Sequence, residues 1–154
     1  MRAFDTNILA YAAGLRRVSA DEPKIARAIF LVREQVREEK FVLPAQVLAE
    51  LHHLLRKKGS LSAREASEVI DDYAYDALIV PTGSDVLAAA FALAADHRLQ
   101  TYGAIILAAA AKAECEVLYS EDMQDGFVWN GVTVINPFGQ GSMTLQPSAR
   151  PEEL

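Results

Sequence analysis

Hydrophobic residues alternate along the chain between short, often β-branched runs and longer stretches that have the period of an amphipathic helix. The short runs predict five strands, at residues 3–4, 41–43, 77–80, 117–119 and 132–135. The longer stretches predict six helices, one of which begins at a capping box formed by Ser62 and Glu65. Strands that alternate with helices in this way are typical of βα units around a parallel sheet, so the pattern predicts an α/β fold.

Length and composition predict a single globular domain, since the chain has 154 residues, of which 51% are hydrophobic and 23% are charged. We expect the domain to span residues 1–138, because residues 139–154 have the composition of a poorly ordered tail. The longest apolar run, residues 86–95, is shorter than the roughly 20 residues that cross a bilayer. The single cysteine, Cys115, fits a reducing compartment and excludes a thiolate zinc cage. We therefore expect a cytoplasmic protein that does not enter a membrane.

The net charge is −6, from 15 Lys and Arg against 21 Asp and Glu, so the chain has no general attraction for a polyanion. The most compact basic run is formed by Arg56, Lys57 and Lys58. Such a run is more often a solvated helix end than a phosphate-binding patch. Any contact with a nucleic acid must therefore be local.

Carboxylates follow two of the predicted strands, where ligands bind in open parallel α/β sheets. Asp5 comes after the first strand and Asp122 after the fourth, so their side chains converge if these strands are neighbours. Asp5 could instead be only the N-cap of the first helix. A third acid, Glu50, falls beside the apolar stripe of its predicted helix, next to Leu54, although a glutamate in such a position is usually solvated. Spacing alone does not select Glu50.

Three segments in order resemble the motifs of the PIN-domain nucleases, and within them those of the VapC-type toxin ribonucleases of toxin–antitoxin pairs. Residues 4–12, FDTNILAYA, resemble the first motif of the family, and residues 47–51, VLAEL, resemble the second. The last is resembled by residues 118–126, LYSEDMQDG. Each motif is short, but all three occur in the right order with the expected helices between them. The resemblance covers residues 1 to about 138.

The resemblance implies a three-layer α/β/α fold whose parallel sheet has about five strands in the order 3-2-1-4-5, with strands one and four adjacent. It also implies that Asp5, Glu50 and Asp122 are the catalytic, metal-binding acids of a Mg²⁺- or Mn²⁺-dependent ribonuclease. Hard cations of this kind take oxygen ligands, which suits a site made of carboxylates. The implied partners are an RNA substrate, a cognate antitoxin that holds the enzyme inactive, and a second copy of the chain in a homodimer.

One departure from the family pattern affects the expected site. Gly103 stands in the segment YGAII, residues 102–106, where the family has an acid. The fold should tolerate glycine at this helix start, because its cost there is only a few tenths of a kcal/mol. Glu121 or Asp125 could compensate for the missing carboxylate, and the sequence does not decide whether either points inward. An alternative function is therefore a catalytically weakened PIN module that acts mainly through binding of its antitoxin or RNA.

Other candidate chemistry is weaker. His52 and His53 are expected to diverge from Glu50 around their helix and to be packing or surface residues. Cys115 has no identifiable partner base and is expected to fill space in the core. A phosphoaspartate receiver would need paired acids after the first strand, and a haloacid-dehalogenase-like phosphatase would need an acid at the position of Asn7. Both classes fit the sequence less well than a PIN nuclease.

Overall fold

A computed structural model describes residues 1–16 and 18–139. Apart from Gly139, the predicted tail lies outside the described residues. The sheet has six strands in the order β3-β2-β1-β4-β6-β5, with β1 near its middle. Their bounds are Arg2–Phe4 (β1), Phe41–Pro44 (β2), Leu78–Val80 (β3), Val117–Tyr119 (β4), Val128–Trp129 (β5) and Val132–Ile135 (β6).

All neighbouring strands are parallel except β5, which runs antiparallel to β6. Consecutive residues of the central strands are fully buried, including Ala3 and Phe4 in β1 and Val42 and Leu43 in β2. Because consecutive side chains of a strand point to opposite faces, both faces of the sheet are covered. The architecture is therefore a three-layer α/β/α fold.

Six α-helices connect the strands and cover the sheet. They span Thr6–Ala12 (α1), Glu22–Arg37 (α2), Ala45–Lys57 (α3), Ala63–Asp76 (α4), Ser84–His97 (α5) and Thr101–Lys112 (α6), and a 3-10 turn at Ser19–Asp21 precedes α2. Helix α6 packs on β2, β3 and β6, and its residues from Ala104 to Ala110 are all buried. Within the described residues, no helix is long and apolar enough to span a membrane.

The fold class and the order of the five predicted strands are confirmed. The predicted strand count is one too low, because the short strand β5 forms a hairpin with β6. Asn130 and Gly131 join these strands and both have positive φ, at 45° and 81°. An Asn-Gly pair favours the two-residue turn that joins antiparallel strands. The capping box is also observed, with Ser62 Oγ accepting from Glu65 N and Glu65 Oε2 accepting from Ser62 N.

One buried polar group offers a test of the packing. Gln35 on α2 is fully buried, and neither atom of its side-chain amide has a hydrogen-bond partner in the described residues. A buried amide without partners costs about 1–3 kcal/mol. We therefore expect Gln35→Met, which keeps the length of the side chain, to raise the free energy of unfolding by an amount in this range. Urea denaturation measures this, and a lower midpoint for the variant would contradict the assigned environment.

Candidate active site

A cleft of about 1080 Å³ opens where β1 and β4 end. The two strand ends are held side by side by a hydrogen bond from Asp5 N to Tyr119 O, at 2.9 Å. The three predicted acids all line the cleft, and each comes from a different part of the chain. The full lining is Asp5, Thr6, Asn7, Gln46, Ala49, Glu50, His53, Leu54, Arg98, Leu99, Gln100, Tyr102, Gly103, Ile106, Asp122, Met123 and Gln124.

Asp5 both caps α1 and faces the cleft, so the two interpretations of this residue are compatible. Its Oδ1 accepts from Thr6 N and its Oδ2 accepts from Ser120 Oγ, each at 2.7 Å. The pKa of Asp5 is raised to about 6: burial is the largest cause, the two hydrogen bonds oppose it, and the negative charges of Asp122 and Glu50 add to the rise. The pKa of Asp5 is therefore set by removal from water and by the neighbouring acids.

Glu50 is half-buried on the cleft side of α3. Thr6 Oγ1 donates to its Oε2 at 2.8 Å, and Gln46 Nε2, one helical turn earlier, donates to its Oε1 at 3.0 Å. The bond from Thr6 ties the carboxylate to α1, and the bond from Gln46 fixes it along α3. Glu50 lies beside Leu54, as the helical wheel predicts.

Asp122 is the most exposed of the three acids and lies in the loop after β4. Its Oδ2 accepts a hydrogen bond from Asn7 Nδ2 at 2.7 Å. The loop itself is tied to the site, because Met123 N donates to Ser120 Oγ, the same hydroxyl that contacts Asp5.

The tripeptide at residues 5–7 therefore organises the whole acidic cluster. Asp5 supplies one carboxylate, Thr6 holds Glu50 and Asn7 holds Asp122. Each of these hydrogen bonds requires a short polar side chain at its position. This requirement gives a physical reason for the sequence Asp-Thr-Asn after β1. Loss of any one of the three changes the environment of at least one acid.

The donor set suits a hard divalent cation. Mg²⁺ is commonly held by one or two carboxylates and keeps several waters, and the cleft offers three carboxylates with room for water. Over the described residues, however, no three His, Cys, Asp or Glu side chains stand close enough to hold an ion by themselves. Because like charges repel one another, a close approach of the three carboxylates is favourable only when a cation lies between them.

Neither proposed substitute for the missing family acid lines the cleft. Glu121 accepts a hydrogen bond from Tyr11 Oη and pairs with Lys24, which turns it toward α1 and α2. Asp125 Oδ1 accepts from Asn136 N at 2.8 Å, which ties it to the segment after β6. Both carboxylates therefore have structural partners outside the cleft.

Gly103 lies in the first turn of α6 and lines the cleft. A Cβ at this position would come within 3.2 Å of Met123 Cε, the far end of a flexible side chain. An aspartate there would need only a small movement of Met123. The position is therefore open to a fourth carboxylate that this chain does not have.

Sequence reasoning missed Arg98, the one arginine that lines the cleft within the described part of the chain. It forms the C-cap of α5 with a left-handed backbone, φ 55°, where glycine or asparagine is usual. No local sequence signal marks this residue. It lies in the wall of the same cleft as the three acids.

The expectation that both histidines diverge from Glu50 is wrong for His53, which borders the cleft. Residues three apart on a helix are separated by only about 60°, so Glu50 and His53 share a side of α3. His52 lies away from the cleft, with its Nε2 3.3 Å from Ser67 Oγ. Cys115 is buried, and burial raises the pKa of its thiol to about 11, which suits a packing role.

The fold and the cleft define a class of α/β domain whose acids gather at the carboxyl ends of adjacent parallel strands. The PIN domain family model matches residues 3–125. The chain therefore belongs to the PIN domain family, whose members are generally nucleases and are typically dependent on divalent metals. No curated protein sequence matches the chain.

Solved structures share the fold over nearly the whole chain. A toxin-antitoxin complex from Klebsiella pneumoniae matches with a TM-score of 0.64 at 20% identity, covering 90% of this chain and 98% of that one. FitAcB from Neisseria gonorrhoeae matches with a TM-score of 0.61 at 21% identity, over 89% and 98% of the two chains. VapBC2 from Rickettsia felis, bound to a DNA fragment from its promoter, matches with a TM-score of 0.60 at 14% identity, over 86% and 96%. At these identities the likeness concerns the fold.

Proposed function

We propose that the protein is a VapC-like endoribonuclease toxin that hydrolyses RNA phosphodiester bonds with Mg²⁺ or Mn²⁺. The observation that carries the proposal is the hydrogen-bonded arrangement of Asp5, Glu50 and Asp122 around residues 5–7 in one cleft. Membership of a nuclease family supports hydrolysis as the reaction. The cytoplasm, where RNA is abundant, is the proposed site of action.

Each side chain of the cleft has a role in this proposal. Asp5, Glu50 and Asp122 would hold the cation, while Thr6, Asn7 and Ser120 orient their carboxylates through the hydrogen bonds described above. A bound ion would lower the pKa of a coordinated water, orient the scissile phosphate and neutralise charge on the leaving oxygen. Arg98 would contact a phosphate oxygen.

An antitoxin is the proposed partner protein. The structural relative from Klebsiella pneumoniae is a toxin-antitoxin complex, which supports such a partner here. We propose that binding of the antitoxin keeps the nuclease inactive, and that the chain also pairs with a second copy of itself. Co-expression with the product of a neighbouring small reading frame, followed by size-exclusion chromatography, tests both interactions.

A second candidate function is a catalytically weakened PIN module, which Gly103 favours. The position lines the cleft without a carboxylate, and neither Glu121 nor Asp125 replaces it. With three acids, a single ion is held more readily than a pair. Such a module would keep the fold and its antitoxin but cleave RNA slowly.

An RNA cleavage assay with Gly103→Asp separates the two candidates. We expect the native protein to cleave RNA with Mg²⁺ or Mn²⁺ and to lose this activity with a chelator, and we expect Gly103→Asp to be faster by about tenfold or more, because it adds a cation ligand. Gly103→Ala is the matched control, since it adds the same Cβ without a charge. Cleavage by Gly103→Asp alone would favour the weakened module. Absence of cleavage in all three proteins would contradict both nuclease proposals.

A further inference from the structure

A second groove lies along the C-terminal half of α3, next to the acidic cleft. It has a volume of about 360 Å³ and is lined by His52, His53, Arg56, Lys57 and Leu61. His53 also lines the cleft, so the groove and the cleft meet at this residue. We call these five residues the α3 groove.

The α3 groove concentrates positive charge in a protein whose net charge is −6. Arg56 and Lys57 are both exposed, and neither forms an ion pair with an acid of the described part of the chain. Glu65, an acid at the start of the packed helix α4, is engaged by Ser62 N in the capping box. Among the residues that the structure describes, no carboxylate lines the groove.

The helix dipole by itself accounts for part of this positive charge, because basic side chains such as Arg56 and Lys57 are favoured in the last turn of a helix. Helix α2 also has a basic residue in its last turn, Arg37, which lines a different groove together with Arg33 and Glu34. That groove shares no lining residue with the acidic cleft. The contact with the cleft therefore distinguishes the α3 groove from an ordinary basic helix end.

An acidic cleft repels RNA unless a cation is bound in it, so basic side chains next to the cleft would add to the affinity for RNA. Arg56 can form two parallel hydrogen bonds with one phosphate, and Lys57 adds a compact charge. The ring of His53, at the junction, can stack on an unpaired base. Cations beside a stacking ring are typical of sites for single-stranded nucleic acid.

We propose that the α3 groove binds the backbone phosphates of a single-stranded RNA next to the phosphate that is cleaved. The proposal rests on the proposed nuclease function and extends it to a substrate-binding site. In this arrangement the acidic cluster performs the reaction, while Arg56 and Lys57 hold the flanking strand. Binding there is independent of base identity, because the contacts are to phosphates.

The test compares Arg56→Gln/Lys57→Gln with Arg33→Gln/Arg37→Gln, which removes the same charge from a helix surface outside the cleft. Binding of fluorescein-labelled oligouridylate is followed by anisotropy between about 50 and 200 mM KCl, with Ca²⁺ in place of Mg²⁺ to slow cleavage. Loss of two phosphate contacts should flatten the slope of log affinity against log salt by about 1.4. In cleavage assays with Mg²⁺, KM should rise while kcat changes little. The control pair should match the native protein, and Arg56→Lys should keep the native slope.

Equal salt slopes for the native protein and Arg56→Gln/Lys57→Gln would overturn the proposal. It would also be overturned if the double variant bound RNA normally but lost its antitoxin, because the groove would then be a protein interface. If the native protein cleaved no RNA, the proposed nuclease function would be wrong. The salt dependence of the anisotropy would still decide whether the groove binds RNA. Thermal unfolding of both double variants shows whether either change disturbs the fold.

Discussion

Asp5→Asn is expected to abolish metal-dependent RNA cleavage and, at the same time, to stabilise the metal-free protein above pH 6. The substitution keeps the shape of the side chain, and both of its hydrogen bonds can be retained. The amide oxygen accepts from Thr6 N, and the amide nitrogen donates to Ser120 Oγ. Cleavage should fall by more than the roughly 10- to 100-fold that follows loss of a group that merely orients a metal ligand.

The gain in stability follows from the pKa of Asp5, which is raised from 3.8 to about 6 in the folded protein. The folded state therefore binds more protons than the unfolded state between about pH 4 and pH 6, so ionisation of Asp5 lowers the free energy of unfolding as the pH rises through this window. One pKa unit corresponds to about 1.4 kcal/mol, so the full penalty is up to about 3 kcal/mol and persists above pH 6. An asparagine does not ionise and avoids it.

Chemical denaturation of both proteins with a chelator present, from pH 4 to pH 8, measures this effect. The advantage of Asp5→Asn should be small near pH 4, grow with pH and level off above pH 6. Asp71→Asn, at an exposed position on α4 outside the cleft, should alter neither stability nor cleavage. A variant that is less stable than the native protein at every pH, or that cleaves RNA normally, would contradict the role of Asp5.

Much of the architecture could be predicted because it depends on hydrophobic period and on strong local signals. The strands at Val117–Tyr119 and Val132–Ile135 begin and end at the predicted residues. Helix α4 runs to Asp76, beyond its predicted end near residue 72, since no glycine or proline stops it earlier. The hairpin at Asn130 and Gly131 has a recognisable signal that the strand prediction did not use.

The candidate site was only partly accessible from sequence. Asp5 and Asp122 follow from their places at strand ends, whereas Glu50 needed the family resemblance to separate it from an ordinary helix glutamate. The hydrogen bonds of Thr6 and Asn7 to these acids join residues more than 40 positions apart and depend on side-chain rotamers. Arg98 lines the cleft because the chain turns there through a left-handed backbone conformation at the end of α5. No pattern of residues in the sequence predicts that conformation at an arginine.

The second large expected effect is stabilisation of the native protein by Mg²⁺ or Mn²⁺. An ion that binds only the folded state adds about 2.7 kcal/mol at a concentration 100 times its dissociation constant. In this cleft the ion would also offset the repulsion among Asp5, Glu50 and Asp122 and lower the pKa of Asp5 toward its usual range. The shift in Tm should therefore be large for the native protein at neutral pH and small for Asp5→Asn.

Direct titration with Mn²⁺, followed by the electron paramagnetic resonance signal of the free ion, decides whether these acids share a cation. Binding should weaken by at least about tenfold in Asp5→Asn, Glu50→Gln and Asp122→Asn alike. It should be unchanged in Asp125→Asn, whose carboxylate lies in the same loop as Asp122 but accepts from Asn136 N outside the cleft. Equal Mn²⁺ affinity in the native protein and the three cleft variants would show that no common ion is held there.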